Sequence, residues 1–327
     1  MIIYIFICEI CVLFSRISDD TDIMKTIQQI FNQTEVTFVV TDSGMGGLSV
    51  FAELISLIQS GHYFKKAKIV FFNALFDANS GYNRLATSFD KAQQFDKALF
   101  AIQKQYQPDY ILIACNTLSV VYPDTPFVKL AEVPVIGIVE AGVNLIVDKL
   151  NQNPDSSVII LGTPTTIAAG SHCQKLIQSG IAANRIIQQG CLELTDSIEK
   201  GWNSPQTRKY IEFYVGLALQ QFEKPDVPFF ASLNCTHYGY AAEIWEAVLR
   251  EKSNHLLGLI NPNSAMLDFL RASNAANRYL KTDLQLEVVS KVEIPESIRS
   301  SIGNLLKRVS GEAEVALDKY NWKEDLF

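Results

Sequence analysis

From Val36 onward, short uninterrupted apolar runs alternate with longer stretches whose apolar positions recur at helical spacing. The runs Phe38–Thr41, Lys68–Phe72, Tyr110–Ala114, Val135–Val139, Val158–Leu161 and Phe229–Leu233 predict strands. Because they lack a regular polar face, they are expected inside sheets covered by helices on both sides. Leu48–Ile58, Phe89–Gln103 and Thr207–Gln221 carry the periodicity of amphipathic helices. Repeated strand–helix succession is the pattern of an α/β fold built on parallel sheets. A polar turn at 151–157 and a proline-containing connection at 223–228 punctuate the second half.

Two segments of the chain share a frame. The first strand ends at Asp42, and Cys115 lies 73 residues later; the strand ending at Gly162 is followed 73 residues later by Cys235. Each cysteine directly follows an apolar strand, in Ile111-Leu112-Ile113-Ala114-Cys115-Asn116-Thr117 and Ala231-Ser232-Leu233-Asn234-Cys235-Thr236-His237. The equal offsets predict two pseudo-symmetric lobes, each a mainly parallel sheet flanked by helices. Sites in open parallel sheets lie beyond the carboxyl ends of the strands. Both cysteines are therefore expected at one cleft between the lobes.

Composition narrows the function. A net charge of −7 gives no basic excess for neutralising phosphates, so nucleic acid is not an expected partner. Six cysteines in 327 residues are too few for a disulfide scaffold. Cys8 and Cys11 form a C-x-x-C pair without a second pair at zinc spacing, so no metal site is expected. Residues 1–35 read as an N-terminal extension. Its apolar start lacks the preceding positive charge and small-residue cleavage site of a signal peptide. An upstream start codon, with Met24 as the functional start, explains it; a membrane anchor is the competing reading. The expected location is cytoplasmic.

Cys115 could simply be a small core residue, as buried cysteines commonly are. Asn116 and Thr117 point elsewhere, since they place polar groups and free backbone N–H donors at a strand-to-helix turn. Cys235 precedes Thr236 and His237, and a histidine near a thiol also fits a single-nucleophile hydrolase. A second cysteine in an equivalent frame separates the readings. Racemisation needs one acid/base group on each face of a carbon, and a thiol can serve in either protonation state. The turn Asp42-Ser43-Gly44-Met45-Gly46-Gly47 lacks dinucleotide and P-loop spacing; Asp42 could polarise a thiol and Ser43 could bind substrate.

These motifs, together with Pro134-Val135-Ile136-Gly137, Gly162-Thr163-x-x-Thr166-Ile167 and Cys191-x7-Glu199-x-Gly201, resemble the aspartate/glutamate racemase family in order and spacing. The resemblance runs from about Val36 to Ala265. It implies cofactor-independent interconversion of L- and D-glutamate, the D-form serving peptidoglycan synthesis. It implies Cys115 and Cys235 as acid/base residues, Asp42 assisting the first, and Glu199 and His237 the second. Ser43, Gly81, Asn116, Thr117, Thr166 and Thr236 would hold a small amino-acid substrate. The resemblance further implies no pyridoxal phosphate or metal, admits a homodimer, and divides the chain into lobe 1 (36–138), lobe 2 (139–257) and a return to lobe 1 (258–327). Departures cluster at 73–81, where only Gly81 matches the family's G-D-T-A-R-x-P-Y-G. Asn234, Gly239 and His172 replace a usual glycine, proline and tyrosine. Racemisation of aspartate or another amino acid, or binding without catalysis on the same fold, are the alternatives.

Overall fold

The computed structural model describes residues 30–78 and 80–327. The Cys8/Cys11 pair and Met24 lie outside the described residues. The expected α/β architecture is present as two all-parallel sheets flanked by helices. The first contains β1 (Glu35–Asp42), β2 (Lys66–Asn73), β3 (Tyr110–Ile113) and β4 (Val135–Gly137), joined late in the chain by β9 (Asp283–Ser290) and β10 (Asn321–Trp322). Its order is β10-β9-β2-β1-β3-β4. The second comprises β5 (Ser157–Gly162), β6 (Ile186–Gly190), β7 (Phe229–Asn234) and β8 (Leu256–Ile260), in the order β6-β5-β7-β8.

The order β2-β1-β3-β4 repeats in the second sheet as β6-β5-β7-β8. Thus β1 and β5 are equivalent, and so are β3 and β7, the strands leading into the two cysteines. Register agrees: Thr41 pairs with Ile113, and Leu161 pairs with Leu233. This equivalence accounts for the common offset in sequence. Each sheet is sandwiched between apolar clusters, as uninterrupted strands require. In the first, Phe38, Val40 and Leu112 face one layer, while Val39, Ile111 and Ile113 face the other.

Val135–Val139 does not continue as a strand beyond Gly137. Ile138 begins a helix to Gln152, whose Ile138, Gly142 and Ile146 recur every four residues on a buried face. This helix leaves the edge of the first sheet and covers one face of the second, with Val143, Ile146 and Val147 packed on Val158 and Ile160. The chain passes back beside it through Pro262–Ala265. Among the described residues, no helix is long and apolar enough to cross a membrane.

Candidate active site

Both cysteines stand immediately before a helical turn that follows a strand, with extended backbone at φ −143° for Cys115 and −148° for Cys235. The Cys115 sulfur accepts a hydrogen bond from the Leu118 N–H at 3.5 Å, so it serves as the helix N-cap. Both residues are nearly buried, at 5% and 6% exposure. Their polar surroundings distinguish them from inert core thiols.

Around Cys115 the first lobe supplies most partners. Ser43 Oγ lies 3.3 Å from its sulfur, and the Asp42 carboxylate is close enough for its charge to act on the thiol. Asp42 is itself held by the Ser43 N–H at 2.6 Å and the Gly47 N–H at 2.5 Å. Burial and the Asp42 charge push the Cys115 thiol well above the ordinary cysteine range. Burial likewise raises Asp42, against the opposing pull of the His237 charge.

Cys235 has a different set. Its sulfur lies 3.9 Å from His237 Nδ1 and 3.7 Å from Thr195 Oγ1. His237 Nε2 lies 2.6 Å from Glu199 Oε1, which also accepts the Met45 N–H at 2.8 Å. Burial disfavours charge on both groups. The hydrogen bonds and opposite charges outweigh it, holding Glu199 below the usual carboxylate range and His237 well above the usual imidazole range.

The two halves interlock. Thr236 Oγ1 donates to Asp42 Oδ2 at 2.8 Å, Tyr240 donates to the Met45 carbonyl at 2.9 Å, and Lys91 Nζ donates to Thr165 Oγ1 at 3.0 Å. Thr117 Oγ1 meets Thr163 Oγ1 at 2.8 Å and Thr166 Oγ1 at 3.4 Å. The glycine turn is pressed against the second lobe. A Cβ on Gly46 would fall 2.4 Å from Thr236 Oγ1, and one on Gly44 would fall 2.8 Å from Glu199 Oε1. Glycine is required there for close approach, whatever the turn's φ.

No protein-family model matches the chain. The glutamate racemase of Koribacter versatilis is 28% identical over 204 residues, covering 61% of this chain and 62% of that protein. The glutamate racemase of Campylobacter jejuni is 25% identical over 273 residues, covering 82% of this chain and 98% of that protein. The structure of glutamate racemase from Francisella tularensis in complex with D-glutamate superposes with a TM-score of 0.62 at 24% identity, covering 85% of this chain and 95% of that one. The chain is similar to the glutamate racemases. The Koribacter match spans less than two thirds of that relative's length, and the structural likeness fixes the fold.

Of the residues in the racemase-like motifs, Ser43 and His237 meet the two sulfurs, Asp42 acts on Cys115, Glu199 reaches Cys235 through His237, and Thr236 bonds to Asp42. Thr117 and Thr166 join through the threonine cluster, and Asn116 presents a buried amide whose nitrogen and oxygen have no hydrogen-bond partner among the described residues. Gly81 has extended backbone, its carbonyl accepting the Arg84 N–H at 3.0 Å. The buried ring of its neighbour Tyr82 packs in the same apolar layer as Cys115. His172 is buried and held down to about 4 by desolvation, with Lys175 adding to the effect. Thr163, Thr195, Lys91 and Tyr82 are additions from the structure. Only Thr163 stood within a quoted motif.

Proposed function

We propose that the chain is a cofactor-independent amino-acid racemase that interconverts L- and D-glutamate through Cys115 and Cys235. One observation carries this reading: cysteines at equivalent strand ends of two like sheets each have a carboxylate system of their own, across an interlocked seam. In each direction one thiolate takes the α-proton from its face of the substrate, and the opposite thiol returns a proton from the other. Asp42 takes up or releases the proton of Cys115. His237, held in place by Glu199, does the same for Cys235, releasing a proton from Nδ1 as imidazolium and taking one up there as neutral imidazole. The buried amide of Asn116 and the hydroxyls of Ser43, Thr117, Thr166 and Thr236 hold the α-carboxylate and ammonium groups, which gives Asn116 the partner it lacks among the described residues.

We further read 36–138 and 139–257 as the two lobes, 258–327 as the return, and the protein as cytoplasmic. The D-glutamate formed would serve peptidoglycan synthesis. The departure at 73–81 makes the side-chain pocket the point to test. A panel of L- and D-amino acids incubated in D₂O should show α-deuterium incorporation into both glutamate enantiomers. Incorporation confined to aspartate or another amino acid would keep the two-thiol chemistry and move the specificity. Incorporation into none would overturn the catalytic reading and leave a binding protein on this fold.

A further inference from the structure

The helix Leu194–Gly201 brings two side chains to Cys235. Thr195 and Glu199 are one turn apart, and residues at that spacing share a helix face. Glu199 reaches Cys235 through His237. Thr195 reaches it directly, with Oγ1 3.7 Å from the sulfur. The backbone before this helix is specially held: Glu193 has φ 61°, in the left-handed region, and its carboxylate accepts the Tyr210 hydroxyl at 2.9 Å. Such a conformation is disfavoured in a residue with a side chain and is held by its surroundings. The Cys191 N–H, bonded to the Gly162 carbonyl at 2.8 Å, anchors the segment to the strand beside β7. The helix start is thus fixed relative to the end of β7.

We propose that Thr195 serves Cys235 as Ser43 serves Cys115, its hydroxyl donating to the sulfur in the thiolate form and accepting the S–H in the thiol form. The Ser43 contact, at 3.3 Å, is the counterpart in the other lobe. No bond is made or broken in this role. The hydroxyl rotates as the thiol gains or loses its proton, stabilising both states and keeping the sulfur aimed. Hydrogen bonds to a charged partner contribute more than neutral ones, so the larger effect falls on the thiolate. The catalytic consequence rests on the racemase reading; the contact with Cys235 does not.

Thr195→Val keeps the shape of the side chain and removes the hydroxyl, and Thr195→Ser restores it. The full-length protein is treated with iodoacetamide across pH, and alkylation of Cys235 and Cys115 is followed separately by peptide mass spectrometry. Thr195→Val should lower the Cys235 rate at pH 7 by about tenfold and move its profile to higher pH, with Cys115 unchanged and Thr195→Ser close to the unsubstituted protein. An unchanged Cys235 profile in Thr195→Val would overturn the proposal. Deuterium exchange from each glutamate enantiomer adds a second readout. Thr195→Val should slow exchange chiefly from the enantiomer whose proton Cys235 removes. An altered alkylation profile in a protein that exchanges no amino acid would remove the catalytic role and the racemase reading together, leaving the contact itself in place.

Discussion

Cys115 and Cys235 hold equivalent places in two like sheets, but their electrostatic settings differ in a way the topology explains. In the first lobe the residue ending β1 is Asp42, and its charge acts on the thiol without an intermediary. In the second lobe the equivalent place at the end of β5 is Gly162, which has no side chain. The carboxylate for Cys235 comes instead from Glu199, on the helix after β6, and acts through His237. A repeated scaffold supplies matching positions for the two sulfurs. The electrostatics at each are set by residues the repeat does not share: an aspartate beside one thiol, a histidine–glutamate pair beside the other.

The strongest way to test that pairing is to remove each thiol in turn. Cys115→Ser and Cys235→Ser should each lower glutamate interconversion by about 10²–10⁴-fold or more, the contribution of one positioned proton-transfer group. With a substrate carrying a β leaving group, abstraction from one face can end in elimination without reprotonation from the other. One variant should retain elimination of mainly the D-form and the other mainly the L-form, as measured by release of the leaving group. Full interconversion by either variant would refute the two-thiol mechanism.

Breaking the seam should have a smaller effect. Gly46→Ala places a methyl group 2.5 Å from His237 Nδ1 and 2.7 Å from its backbone nitrogen. An overpacked contact of this kind costs about 1–3 kcal/mol, readable as a lowered denaturation midpoint. Exchange should fall at both cysteines, since the glycine turn carries partners of each. Loss confined to Cys235 would mean that the halves act independently.

The smallest expected effect concerns pH. Glu199 is lowered in the fold, so its contribution to stability is present above the ordinary carboxylate range and lost as pH falls through its lowered value. His237 is raised, so its contribution is full below the ordinary imidazole range and lost as pH rises through its raised value. Cys235 and Glu199 both raise His237, and Glu199→Gln removes the second of these charges. The alkaline decline in melting temperature should therefore begin at lower pH, while Asp42→Asn should leave that limb closer to the original.

Legibility in the sequence followed physical signal strength. The apolar runs of β1, β2, β3, β5 and β7 stood out because they are covered on both faces. β6, Ile-Ile-Gln-Gln-Gly, and β8, Leu-Leu-Gly-Leu-Ile, are short, and β9 alternates exposed and sheltered positions along Asp283–Leu286, so none offered a long apolar run. The cysteine frame and its carboxylates were legible because motif order and equal offsets pointed the same way. Thr195 was not, since a threonine on a polar helix turn reads as solvent-facing until the fold places it against a sulfur. Lys91 was hidden for a similar reason: its partner, Thr165, is 74 residues away, on the other side of the seam. Gly81 was singled out by the family pattern, while the fold brings the adjacent Tyr82 into the Cys115 layer.

The placement of β9 also orders the protein's birth. As the chain emerges from a ribosome, β1 to β4 appear first, but β2 keeps one side unpaired until β9 arrives, through pairings such as Lys66 with Asp283. Every strand of the second sheet, from Ser157 to Ile260, is synthesised in that interval. The later half can therefore assemble from a continuous stretch while the earlier half waits with an open strand edge, the surface most prone to mispairing. N-terminal-first folding is the usual sequence during synthesis; here the first sheet to be started is the last to be closed. Its closure joins partners as distant as Asn73 and Ser290, 217 residues apart, the kind of long-range pairing that slows folding.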